Sequence, residues 1–147
     1  MGVFIKKSYK LIYNLTILSL TFAVLLIFSQ SSEIIKIFND SYIIDSLSIF
    51  MKVATLVSCI FILIISSDYI KNSNINKFEY PILILSSVLG MLLMISSYDL
   101  IVFYMGLELQ SLSLYVLAAM NTKSIKSSEA GLKYFVLSAL SSGLLLY

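Results

Sequence analysis

The chain has 147 residues, of which 59% are hydrophobic and only 12% charged, and its mean hydropathy is +0.97. A water-soluble domain of this size needs more polar surface than that, so the composition specifies an integral membrane protein. The net charge is +2 and every basic residue is lysine, which leaves no basic surface of the kind that binds nucleic acid.

In chain order, apolar runs at 11–28, 47–65, 80–97 and 100–120 are predicted to be complete transmembrane helices, with a fifth, truncated one over 132–147. Crossing the hydrocarbon core takes roughly 20 residues, with about 17 as a lower limit. The predicted fold is therefore an all-α membrane bundle of four complete helices and a truncated fifth, in a single transmembrane domain. Lys6, Lys7 and Lys10 precede the first run, as in a signal peptide. That run is longer than the roughly 7–15 residues of a signal core, and no A-x-A site follows, so an uncleaved first helix is expected. The loop over 29–46 is acidic, with Glu33, Asp40 and Asp45 beside Lys36. Lys52 lies one turn inside the second helix and is expected to snorkel to the interface, while Cys59 is read as a small apolar filler. Pro81 falls in the first turn of the third helix, where its missing N–H does no harm. A tight turn at Ser97–Asp99 leads into the fourth helix. Ser127 or Ser128 is expected to cap the fifth, with Glu129 in its first turn. Ala139 with Gly143, and Ser138 with Ser142, form small-xxx-small pairs suited to close helix packing.

Alternate connections carry unequal numbers of lysines. The N-terminus, the loop over 66–79 and the loop after Met120 share seven, whereas the opposite side has Lys36 alone. The positive-inside rule then puts the N-terminus on the cytoplasmic side, or the matrix side in a mitochondrion. With a single cysteine and no histidine, the chain cannot build a disulfide framework, a His-ligated zinc or haem site, or a His-activated nucleophile. Neither G-x-G-x-x-G nor G-x-x-x-x-G-K-[ST] occurs, so no nucleotide site is readable.

Glu108 is the residue of greatest chemical interest. It lies near the middle of the fourth helix, too far from either interface to snorkel, and an isolated charge there would cost several kcal/mol. It must face protein or water, take a partner, or stay protonated. A poor solvent favours the neutral carboxyl and a nearby lysine favours the charged one, and a group held between them suits proton uptake and release. Tyr104, Glu108, Ser111 and Tyr115 follow i, i+4, i+7, i+11 spacing and form one polar stripe, with Gln110 and Ser113 beside it. The stripe reads as the lining of a hydrated path or as a polar helix–helix seam; in the second case Glu108 only bonds a neighbouring helix. A second constellation, Glu129 and Lys133, has the favourable order for an i, i+4 helical ion pair near the cytoplasmic end. It reads either as a proton-entry site or as a boundary pair with a snorkelling lysine.

Two segments, G-L-E-L-Q-S-L-S-L-Y-V-L-A-A (Gly106–Ala119) and S-S-E-A-G-L-K-Y-F-V-L-S-A-L-S-S-G-L-L-L-Y (Ser127–Tyr147), resemble the subunit N family of bacterial NADH:quinone oxidoreductase and its mitochondrial counterpart, NADH dehydrogenase subunit 2. These are antiporter-like subunits of the respiratory complex I membrane arm. The likeness is dense over Tyr98–Tyr147 and looser over Asp45–Ser97, where D-S-L-S-I-F-M-K and E-Y-P-I-L-I-L-S-S-V-L-G-M-L-L-M suit the family. Before Asp45 only the hydropathy agrees.

The resemblance implies an antiporter-like fold and proton translocation coupled to quinone reduction elsewhere in the complex. It puts Glu108 on the family's intramembrane glutamate, which pairs with a lysine of a later helix, and Glu129 and Lys133 on the family's Glu and Lys at the start of the next helix. It also implies a bacterial or mitochondrial inner-membrane location and other membrane-arm subunits as partners. No cofactor is expected in this chain; NAD, FMN, iron–sulfur clusters and quinone are implied in partner subunits. The family's lysine-bearing and broken helices are expected further along, so the chain is expected to run from the family's second helix into its sixth, as the product of a split or decayed gene completed by a second fragment. Two other readings stand beside this one: an inert or purely structural membrane fragment, and a cation/proton antiporter subunit.

Overall fold

A computed structural model of the protein describes residues 8–30, 34–72, 78–122 and 124–147. Lys6, Lys7, Ser31, Glu33, Lys77 and Lys123 lie outside the described residues, as does the side chain of Lys71. Among the described residues there are five helices: α1 (Ser8–Phe28), α2 (Ser46–Asn72), α3 (Glu79–Ser96), α4 (Leu100–Ala118) and α5 (Ile125–Leu146). In hydrocarbon every backbone polar group must be satisfied within its own segment, and long apolar runs meet that demand as helices. Helices α1 to α4 are long and apolar enough to cross a membrane, so the chain is a multi-pass membrane protein. Lys126, Glu129 and Lys133 fall in the first half of α5, which leaves it a shorter apolar stretch than the other four.

The first three helices share a core of Tyr13, Leu20, Leu56, Cys59, Leu63 and Val88. Leu56, Cys59 and Leu63 recur at i, i+3, i+7 and so face one way. The Tyr13 hydroxyl donates to the Leu63 carbonyl and ties α1 to α2. Cys59 is buried in this core as an apolar filler. Away from the core the helices present large apolar side chains such as Leu25, Phe61 and Ile65, a surface that lipid accepts and water does not.

Helices α3 and α4 approach most closely at two glycines. A Cβ on Gly90 would stand 2.7 Å from both the Gln110 nitrogen and the Gly106 oxygen, and one on Gly106 would stand 2.9 Å from the Gly90 oxygen. Close backbone approach through small residues is how helices gain packing energy where lipid is as apolar as leucine.

Helix α5 begins three or four residues earlier than a cap at Ser127 or Ser128 predicts. Ser124 is the extended residue before it, and Glu129 falls beyond the first turn. Neither Ser127 nor Ser128 is the cap; the Ser127 hydroxyl instead donates to the Ala118 carbonyl at 2.7 Å and satisfies the open end of α4. Close packing of α4 and α5 centres on Gly131, where a Cβ would stand 2.6 Å from that of Ala119. The Ala139–Gly143 pair does not serve this purpose. A Cβ on Gly143 meets nothing within 4 Å, because α5 touches the bundle through its opening turns. The two glycines should therefore respond oppositely to alanine. Gly143→Ala gains about 1 kcal/mol of helix propensity without a clash, while Gly131→Ala must push Ala119 aside and lowers the unfolding midpoint in an SDS titration. Equal shifts for the two variants would contradict this packing.

The acidic loop after α1 contains a hairpin that hydropathy did not reveal, β1 (Ile35–Ile37) paired antiparallel with β2 (Tyr42–Ile44). Its turn holds Phe38, Asn39 and Asp40 at φ of 55°, 58° and 66°. Asn and Asp tolerate the left-handed region, whereas a bulky side chain there costs about 1–2 kcal/mol. The hairpin is fastened to the α3–α4 turn: Tyr42 bridges to Ser97, and the Tyr98 N–H donates to the Ser41 carbonyl at 3.0 Å.

Asp45 then starts α2. Its carboxylate accepts from the Ser48 N–H at 2.8 Å, and its own N–H donates to the Ser48 hydroxyl at 2.9 Å, a reciprocal capping arrangement. The bond from the Ser48 backbone holds the Asp45 carboxyl below its ordinary value of 3.8. A lowered value means the cap is fully present above the ordinary value and is lost as pH falls through the lowered one. Hydrogen exchange at the Ser48 amide should accelerate in Asp45→Ala at neutral pH. Asp45→Asn, which keeps the acceptor but cannot titrate, should hold protection at low pH where the natural residue loses it.

Candidate functional site

The turn at Ser97–Asp99 positions the centre of interest. Asp99 caps α4, accepting from the Ile101 N–H at 3.3 Å and, through its carbonyl, from the Phe103 N–H at 3.0 Å. Counting from that cap, Glu108 is the ninth residue of a 19-residue helix, roughly 12 Å along it at 1.5 Å per residue. Glu108 is half-buried. The Tyr104 hydroxyl, one turn earlier, donates to Glu108 Oε1 at 3.2 Å. Among the described residues no lysine lies within ion-pair distance of this carboxylate. A charge at the centre of a span costs about 2.5–3.5 kcal/mol on insertion scales, and one hydrogen bond to a charged group offsets about 1.5–3 kcal/mol at best. The Tyr104 hydrogen bond is therefore of the same order as the cost of a charge at that depth.

The four-residue stripe divides into different roles. Tyr104 and Glu108 are joined. Ser111 is buried and donates to the Leu107 carbonyl of its own helix, and Ser113 does the same to Leu109 at 2.9 Å. Back-bonding of this kind satisfies a hydroxyl in an apolar setting without a partner helix. Tyr115 packs edge-on against Tyr134 and Phe135 of α5, with ring centroids 4.8 and 5.6 Å away. The far end of the stripe is thus a helix–helix seam. A cavity of about 190 Å³ opens along it, lined by Leu107, Gln110, Ser111, Leu114, Tyr134 and Ser138, with room for several waters beside polar groups.

Glu129 and Lys133 form the expected i, i+4 ion pair, 2.6 Å apart, on an exposed face of α5 with side chains 58% and 71% exposed. Tyr134 against Tyr115 sets this pair level with the last turns of α4. Seven residues separate Tyr115 from Glu108, so the pair stands roughly 10 Å along the axis from it. The structure does not bring the two constellations together. Lys52 is half-buried near the start of α2, and its charge is felt by Asp45 at that end, as a lysine reaching for the interface would be. Among the described residues no cluster of three or more metal-ligating side chains exists. Gly90, Gly106 and the cavity position of Gln110 were not legible in the sequence. A lone glycine inside each of two apolar runs was the available signal for the first two.

Residues 97–147, which contain the whole of α4 and α5, match the family model described as NADH:quinone oxidoreductase/Mrp antiporter, TM. The full chain aligns with NADH-quinone oxidoreductase subunit N of Pelagibacter ubique at 57% identity, covering 100% of this chain and 31% of that protein. The subunit of the same name from Maricaulis maris is 49% identical over 100% of this chain and 31% of its own length, and that from Jannaschia sp. is 56% identical over 75% and 23%. This chain belongs to the NADH-quinone oxidoreductase subunit N family. The likeness to subunit N reaches both ends of the chain, further than the motifs after Asp45 alone suggested. The chain spans less than a third of the length of these subunit N relatives.

Proposed function

We propose that this chain is part of a proton-translocating membrane-arm subunit of NADH:quinone oxidoreductase, and that Glu108 carries a proton in its relay. The observation that carries the reading is the position of Glu108: mid-helix, half-buried, supported by Tyr104 alone among the described residues, in a segment shared with subunit N relatives. A carboxyl at that depth suits a relay in which a cation approaches and withdraws, because a nearby positive charge favours the ionised form of a carboxyl and its removal the neutral one. That cation is a lysine outside the described residues, supplied by further helices of the subunit. NAD, FMN, iron–sulfur clusters and quinone belong to partner subunits in this reading, and the other membrane-arm subunits are the neighbours. The unequal lysine distribution supports an N-terminus on the cytoplasmic or matrix side of an inner membrane. The exposure of the Glu129–Lys133 pair favours a boundary ion pair over proton entry.

A cation/proton antiporter subunit is the second reading, because the matching family description names the Mrp antiporter as well. The names of the relatives at 47–57% identity favour the first. The deciding measurement is proton pumping per NADH oxidised in inverted membrane vesicles carrying Glu108→Gln. Loss of pumping with the protein still inserted supports the relay; an unchanged ratio leaves Glu108 a packing role only.

A further inference from the structure

We propose that Tyr104 is a positioning residue for Glu108: its hydroxyl holds Oε1 and leaves Oε2 as the oxygen that gains and loses the proton. The inference rests on the relay reading of Glu108 and adds the group that aims its carboxyl. Tyr104 lies one turn before Glu108 on α4, and its hydroxyl donates to Oε1 at 3.2 Å. In a helix the Cα–Cβ bonds tilt toward the N-terminus, so the Glu108 side chain leans over the turn that carries Tyr104. The contact is made within one helix. It therefore depends on the course of α4 alone and not on which helices pack around it.

The other polar groups of α4 near this level are engaged elsewhere. The Ser111 hydroxyl donates to the Leu107 carbonyl, and the Ser113 hydroxyl donates to the Leu109 carbonyl at 2.9 Å. A hydroxyl has a single hydrogen to give, so neither serine has one left for the carboxylate. Gln110 follows Glu108 by two positions, about 200° around the helix, on the side where α4 meets Gly90 of α3. Among the described residues Tyr104 is thus the one donor that reaches Glu108, and Oε2 has no partner.

That division suits a relay. Glutamate has three rotatable bonds and no fixed direction of its own, and a small misplacement of a reacting group costs rate steeply. The bond to Oε1 persists in both states of the carboxyl. When Glu108 is ionised, Oε1 is a charged acceptor; when it is neutral, Oε1 is the carbonyl oxygen and Oε2 carries the proton, which it exchanges with water. The phenol proton stays on Tyr104 throughout, so the carboxyl changes charge while keeping its direction.

Tyr104→Phe keeps the ring and removes only the donor. In inverted membrane vesicles its NADH-driven pumping rate should fall about tenfold, the change that corresponds to losing one hydrogen bond to a charged group. Tyr104→Gln supplies an amide donor that can meet an acid four residues on and cannot pass a proton along, and should return most of that rate. Infrared spectra of the full chain in acidified phosphatidylcholine vesicles read the bond itself. The carboxyl C=O band of Glu108, identified as the one missing in Glu108→Gln, should move to higher wavenumber in Tyr104→Phe, as a carbonyl does when it loses a donor. An unmoved band, or an unchanged pumping rate in Tyr104→Phe, overturns the proposal. A rate that Tyr104→Gln leaves at the level of Tyr104→Phe would make the phenol a proton carrier and overturns the positioning role equally. Loss of pumping in Glu108→Gln alone, with Tyr104→Phe unchanged, would keep the relay and discard Tyr104, whereas unchanged pumping in Glu108→Gln would discard the relay itself.

Discussion

Replacing Glu108 with glutamine is expected to abolish or strongly reduce proton pumping in the assembled complex while α4 still inserts. Glutamine has nearly the same volume and keeps a carbonyl oxygen that can accept from Tyr104, so the 3.2 Å contact survives. What it removes is the ability to gain and lose a proton. A side chain that cannot charge also enters the bilayer more easily than one that can, so any loss of pumping cannot come from poorer insertion. If the carboxyl relays protons, the pumping rate falls roughly a hundredfold or more, the scale on which positioned acid–base groups act. Glu108→Asp should fall between the two, because aspartate titrates but is one methylene too short to keep the Tyr104 hydrogen bond. Equal pumping by the natural residue, Asp and Gln would show that the site needs only a polar group of this size.

Gly90→Val is expected to separate α3 from α4 and to lower the stability of the bundle more than Gly131→Ala does. The atoms that a Cβ would strike, the Gln110 nitrogen and the Gly106 oxygen at 2.7 Å, belong to the backbone of α4. No rotamer change can move them. Two effects compete. Removing a glycine from a helix gains about 1 kcal/mol of propensity for alanine and less for a β-branched residue. Overpacking costs about 1–3 kcal/mol, and more where a backbone must shift. The clash prevails, and the variant should unfold at markedly lower SDS mole fraction than the natural protein. Because the displaced segment includes Gln110, two residues from Glu108, pumping should fall as well. Wild-type stability in Gly90→Val would mean that the helices are not this close.

The physics that made the helices legible is local. A segment crossing hydrocarbon must satisfy its own hydrogen bonds, so each apolar run of sufficient length is a helix whatever its neighbours do. The Glu129–Lys133 pair was readable for the same reason, since i and i+4 are neighbours on any helix. So was the cost of Glu108, which depends on depth alone. The start of α5 was not, because Ser124, Ser127 and Ser128 are equivalent as sequence. Only the proximity of Ala118 decides that Ser127 bonds across to α4. The hairpin was hidden because three-residue strands carry almost no periodic signal, and its pairing depends on the α3–α4 turn lying beside it.

Composition and hydropathy by themselves thus determined a multi-pass helical membrane chain with one expensive acid near the middle of a span, because burial in lipid acts on each segment separately. Which glycines are contacts and which are idle, that Ser111 turns to its own backbone while Tyr115 packs on α5, and that Glu108 has Tyr104 but no described lysine beside it were decided only by the tertiary structure. Those outcomes rest on distances of a few ångströms between separate helices, and the spacing of residues along one helix does not contain them.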